Sequence, residues 1–268
     1  MCLLLIRIFN CNIYLKSIYK IFAIFTTLLF IVVQYSFTIK VKQVNGKLQV
    51  NFKHVVANEL LKLDSAYYKN ELGQPFSIFK FKYYIGEIHL KNSQGKDYVS
   101  KDYFLINEDE ELSKQVTLNQ IPNGNYTSIR FILGVDSLHN CSGAQSGALD
   151  PLNAMFWAWN TGYIFLKLEG NSSASKSPGG IFEYHIGGYK QPSNCIRTIE
   201  FDLTKNPIII NNKTSFLEIK TNVAEILKSP NTIDFSILSS VTDSKNAELI
   251  ANNYKDMFSV LSIKNENQ

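Results

Sequence analysis

The sequence predicts an all-β fold, an antiparallel β-sandwich closed by a short C-terminal helix. Three observations carry this. From Gly46 onward, short segments alternate polar and apolar residues, the period of a half-buried strand. Turn-forming clusters of Gly, Pro and Asn separate those segments at short intervals. Helical spacing is concentrated in one stretch near the end, Asp243–Phe258, with Leu249 and Ile250 expected inward and Asp243 or Ser244 as its cap.

The elements follow in order. Lys47–His54 alternates, with Leu48, Val50 and Phe52 on one face; period two puts His54 on that same inward face. Tyr67–Phe76 reads as a loop. Ser77–Leu90 is a long strand with a break at Gly86 that suits a β-bulge, and His89 points to the opposite, solvated face. Two short strands, Asp102–Asn107 and Lys114–Leu118, flank an acidic run, Glu108–Glu111, expected to lie in solvent. Tyr126–Val135 is a further strand, followed by a small-residue polar loop, Asp136–Ala148. Tyr163–Glu169, Ile181–Ile186, Asn194–Leu203, Pro207–Asn211 and Phe216–Asn222 complete the strand set, and Val223–Leu227 can turn helical.

Composition bounds the function. Of 268 residues, 45% are hydrophobic and 19% charged, so a packed core is the expectation and disorder is not. The net charge of +4 is outweighed by Arg7, Lys16, Lys20, Lys40 and Lys42 near the N-terminus, which have no acidic counterpart there, so the rest is close to neutral and gives no argument for nucleic acid. The uncharged run Ile21–Val33, preceded by Lys16 and Lys20, has the length and flank of a signal-peptide apolar region and is short for a spanning helix. Residues 1–40 are therefore read as a signal peptide or an uncleaved N-terminal anchor, and 41–268 as one domain outside the cytoplasm, periplasmic or at the cell surface. Membrane contact would come only through that first segment.

Cys141 and Cys195 remain in the exported part. An even pair there is read first as a disulfide, with a thiolate metal pair as the alternative. Nucleophile elbows, phosphate loops, dinucleotide fingerprints and paired zinc-binding histidines are missing from the sequence, so the chain is read as a binding protein and not as an enzyme.

Chemistry concentrates in Gly147–Gly170, which holds both tryptophans, Trp157 and Trp159. Large aromatics between two turns can be a core plug. This segment, with its run LDP, MFW-x-WN-x-GY and a closing Lys-x-Glu-Gly, resembles the MbnP-like copper-binding protein family. So do Phe131–Asn140, Phe182–Tyr189 with its His-Ile-Gly-Gly, and Ile250–Phe258 with Asn-Tyr-x-x-Met-Phe. The resemblance runs from about Leu48 to Val260. It implies an exported β-sandwich whose copper is held by histidines and by a tryptophan oxidised to kynurenine, with a diheme MauG-like cytochrome c peroxidase family protein as partner. Carried over by position, it implies His54, His185 and Trp159, or else Trp157, as metal ligands. His89, His139 and the two cysteines fall outside the matched pieces. A non-catalytic interaction or ligand-binding sandwich without metal is the alternative.

Overall fold

A computed structural model describes residues 20, 22–27, 45–157, 162–242 and 246–266. The chain divides into two compact units, Met1–Gln43 and Val44–Gln268. In the first, Phe22–Thr27 are helical; most of the apolar run Ile21–Val33 lies outside the described residues. Among the described residues no helix is long and apolar enough to cross a membrane.

The second unit is built of two sheets. The smaller contains β1 (Asn45–Val56), β2 (Glu59–Leu60), β6 (Gln115–Pro122), β13 (Thr214–Asn222) and β15 (Phe258–Asn265). The larger contains β3 (Tyr68–Lys69), β4 (Pro75–Asn92), β5 (Asp97–Asn107), β7 (Gly124–Leu133), β8 (Phe156–Trp157), β9 (Gly162–Ser172), β10 (Ile181–Gly187), β11 (Arg197–Asp202), β12 (Ile208–Ile210) and β14 (Ser240–Val241). Its backbone order is β11-β7-β4-β9-β10-β14. The inner faces meet through aromatic edges: Phe52 of β1 packs on Tyr83 of β4 and Phe131 of β7, and Phe258 of β15 packs on the same three rings. Such contacts add to the burial of large rings and fix the spacing of the sheets.

The sandwich agrees with the sequence reading, with one departure in strand direction. β1 and β13 run parallel, as do β10 and β14, while the remaining pairs are antiparallel. Alternation reports which face is buried and carries no information on the direction of the neighbour. The bulge anticipated near Gly86 is present: the β4–β5 register shifts between Gly86 and Ile88, and Glu87 takes a positive φ of 48°. Glycine is required at 86 because a Cβ would stand 2.5 Å from the Tyr103 ring.

The polar loop after β7 contains a short helix, α1 (Ser137–Cys141), capped by the Asp136 carboxylate on the His139 N–H. The C-terminal helix, α2, is Ala247–Tyr254 and shorter than expected. Its buried stripe is Ala247, Ile250, Ala251 and Tyr254, so Leu249 falls off the stripe and is 39% exposed, against the expectation for it. The chain leaves the helix before Phe258 because Phe258 pairs with Thr221 and opens β15. Asp243 and Ser244, expected to cap, lie outside the described residues; Asn246 holds the N-cap position without a side-chain cap.

Candidate metal centre

His54 ends the inward series Leu48, Val50, Phe52 on β1, as its period required. Its ring is sealed: the side chain has no exposed surface, and Phe81 and Tyr83 of β4 pack on it. Both nitrogens have partners. Nδ1 lies 2.7 Å from Glu108 Oε2 and Nε2 lies 3.0 Å from the Tyr83 hydroxyl, which in turn meets Thr221 Oγ1 at 3.2 Å. Lys114 reaches the same Glu108 oxygen at 3.2 Å and Glu111 at 2.8 Å. Burial holds the His54 pKa below its ordinary value, although Glu108 pulls it upward. For Glu108, burial pushes upward, but the hydrogen bond and charge of His54 and the Lys114 ammonium together hold its carboxyl below the usual range. The acidic run is thus not wholly solvated: its first member is 12% exposed and closes over a core histidine. A cavity of about 400 Å³ opens beside this pair, lined among others by Lys53, Leu61, Lys114 and Glu218.

His185 stands elsewhere. On β10 it pairs with Lys167 of β9, and Lys167 pairs with Lys82 of β4. Residues paired in register share a face. Lys82 lies between Phe81 and Tyr83, whose rings touch His54 on the inner side. His185 therefore projects from the outer face of the large sheet, and the sheet itself stands between the two imidazoles. The expected convergence of His54 and His185 is not present, because period two fixes the face of a residue within its own strand and leaves open which side of the other sheet its candidate partner occupies.

The outer face does bring His185 together with the tryptophan segment. The six-membered ring of Trp157 lies over Gly187, where a Cβ would meet it at 2.6 and 2.8 Å. Gly187 is two residues beyond His185 on the same strand, roughly 7 Å along it. β8 carries Trp157 alongside Gly162 of β9, and Lys167 ties the approach to β8 by donating to the Ala154 carbonyl at 2.7 Å. Ala154 itself takes a left-handed φ of 56°. Burial lowers the Lys167 pKa, with Lys82 and Lys80 adding repulsion and Glu169 opposing. His185 Nε2 meets Glu169 Oε1 at 2.6 Å, with side-chain exposures of 17% and 19%. That hydrogen bond is the largest influence holding the Glu169 carboxyl below its usual range. Trp159 lies outside the described residues.

The structure holds no disulfide between the two expected partners: Cys141 and Cys195 are free thiols. Cys141 ends α1 in solvent, with Sγ 3.4 Å from the Tyr189 hydroxyl. Cys195 is wholly buried against Gly188, and burial pushes its thiol up to about 12. An even count in an exported chain predicts pairing only if both side chains share an environment, and these do not. His139 binds Asp136 at 2.6 Å and packs on Tyr103, while His89 lines a charged recess with Lys91, Asp97, Arg130 and Glu200. The Asn-Tyr-x-x-Met-Phe segment is structural: buried Asn253 donates to the Ile226 and Asn231 carbonyls, the Tyr254 hydroxyl donates to the Cys195 carbonyl, and Met257 and Phe258 enter the core.

Comparison with protein families decides the membership, since the MbnP family model matches residues 45–249. The chain belongs to the MbnP family. Among solved structures it resembles MbnP from Methylosinus trichosporium, at 16% identity and a TM-score of 0.55, over 81% of this chain and 98% of that one. That likeness is one of fold. A search of curated proteins finds no match. The MbnP match contains the whole tryptophan segment, His54, His185, both glutamates that bind them and both cysteines. Sequence reasoning missed Glu108, Glu169 and Lys167. For Glu169 a signal existed: Lys167 and Glu169 share the face of β9 opposite Leu166 and Leu168, and a β9–β10 hairpin would set them beside His185.

Proposed function

We propose that this MbnP-family protein is exported and binds copper on the outer face of its large sheet, at His185 and the tryptophan segment. In this reading a diheme MauG-like peroxidase oxidises Trp157 or Trp159 to kynurenine, which then serves with His185. The supporting observation is the Trp157 ring lying over the strand at Gly187, two residues beyond His185, where only a glycine admits the indole.

The donor chemistry fits in part. Imidazole suits copper, and His185 Nδ1 has no hydrogen-bond partner among the described residues. Unmodified indole offers no in-plane lone pair, whereas kynurenine carries an aniline nitrogen and a carbonyl. His54 does not fit, since both its nitrogens are occupied in the core on the other side of the sheet. When bound, copper supplies a one-electron couple. The chain's own residues do the rest: Gly187 admits the ring, Lys167 holds the loop before β8, and Glu169 binds the His185 ring.

The alternative, an interaction sandwich without metal, draws support from one observation. Among the described residues, no three His, Cys, Asp or Glu side chains gather as a metal-binding group. Copper titration of protein purified without oxygen separates the two. Uptake by wild type and by His54→Gln, with loss in His185→Ala, supports the copper reading; no uptake by wild type defeats it. Mass spectrometry of protein from its own host should show one tryptophan altered by net gain of one oxygen and loss of one carbon.

A further inference from the structure

We infer that Glu169 is a positioning residue that fixes His185 as its Nε2–H tautomer and so leaves Nδ1 as the ligating atom. This rests on the copper reading above for its ligand, and on the geometry of β9 and β10 for its direction. Glu169 pairs across the ladder with Glu183, and His185 with Lys167, so Glu169 and His185 are diagonal neighbours on one face. Their contact is short, 2.6 Å from Oε1 to Nε2, and both side chains are mostly covered. A carboxylate accepts and does not donate, so the shared proton sits on the imidazole at Nε2. The neutral ring then has its lone pair at Nδ1, the atom without a partner among the described residues.

Two neighbours flank the pair. Lys167 stands directly opposite His185 and would compete for Glu169, but its ammonium is held by the Ala154 carbonyl at 2.7 Å. Gly187 lets the Trp157 ring close over the strand two residues beyond His185. A carboxylate behind a ligating imidazole sets its tautomer, its orientation and its basicity, and losing one typically costs about 10–100-fold in metal affinity.

Nitrogen-15 NMR of the full chain at about pH 8, where an ordinary histidine is neutral, tests this without any activity assay. Metal-free wild type should show a single His185 tautomer with a protonated Nε2 and a pyridine-like Nδ1. On adding Cu(I), which is diamagnetic, the Nε2–H signal should persist while Nδ1 shifts. Glu169→Ala should mix the tautomers and weaken copper at least about tenfold. Glu169→Gln, whose amide oxygen can still accept, should restore most of both. An Nδ1–H tautomer in wild type, or loss of the Nε2–H signal on loading, overturns the inference. So does copper binding unchanged in Glu169→Ala, which leaves the copper reading intact. If wild type takes up no copper, both fail as statements about a metal, and the metal-free spectrum still reports separately whether Glu169 sets the tautomer.

Discussion

His54 and His185 each hold a glutamate through one ring nitrogen, at 2.7 and 2.6 Å, yet the two pairs serve different ends. The first is sealed between the sheets with its second nitrogen bound to Tyr83, so every polar atom of the ring is satisfied internally. The second lies on the outer face, two residues from the glycine that the Trp157 ring covers, with its second nitrogen unpartnered among the described residues. The same residue pair is a structural clasp when both nitrogens are spent and a candidate ligand when one is left over. Local identity does not distinguish them; the inventory of partners does.

The largest expected effect breaks the clasp. His54→Ala empties a core site, leaves the Tyr83 hydroxyl with Thr221 and Glu108 with Lys114 as remaining partners, and should cost about 3 kcal/mol or more in urea unfolding. His185→Ala should stay within about 1 kcal/mol, as suits a partly exposed pair, while losing copper. Comparable losses of stability would erase the distinction.

Next comes Gly187→Ala, which drives a methyl into the Trp157 ring and the Tyr163 carbonyl. Overpacking of this kind costs about 1–3 kcal/mol. Trp157 fluorescence and copper uptake should both change, with the His54 side of the sheet unaffected.

The pH dependence sharpens the comparison further. The folded His54 pKa lies below 6.5, so its contribution to stability is complete above 6.5 and is lost as pH falls through the lower folded value. The folded Glu108 carboxyl lies below 4.5, so its contribution is complete above 4.5 and is lost at still lower pH. Both act with the same sign, and melting temperature should fall on acidification in two stages. In His54→Gln the upper stage should vanish. An unchanged slope between pH 7 and 5 would mean that His54 is not held neutral by burial.

The smallest effect is expected at Lys167→Met, which removes the donor to Ala154 and should cost about 1 kcal/mol. Its informative readout is copper affinity, because the loop before Trp157 loses its tether while His185 and Glu169 keep theirs.

The strands were legible because alternation is a local property, and so was the inward face of His54. Their partners were not. The parallel pairing of β1 with β13 joins residues far apart in the chain, and no local pattern encodes it. The site shows the same limit. His185 and Trp157 were identifiable as residue types in a motif, but the sheet lying between His54 and His185 follows from registers that only the assembled ladder fixes. Glu108 was read as solvated because acidic runs usually are; its burial depends on a histidine on another strand. The unequal burial of the two cysteines was hidden for a related reason, since counting thiols says nothing about which of them faces the core.

The parallel β1–β13 ladder also has a consequence in time. Lys47 meets Thr214, Phe52 meets Ile219, and β15 completes that sheet at the other edge of β13. The large sheet can assemble most of its hairpins from neighbouring segments, but the central pairing of the small one must wait for chain made late in synthesis. Closing so long a loop adds little to the equilibrium cost, yet it slows the search. Until then the apolar face of β1 lacks the neighbour that covers its edge, so this strand is the segment through which an incomplete chain would most readily associate with another.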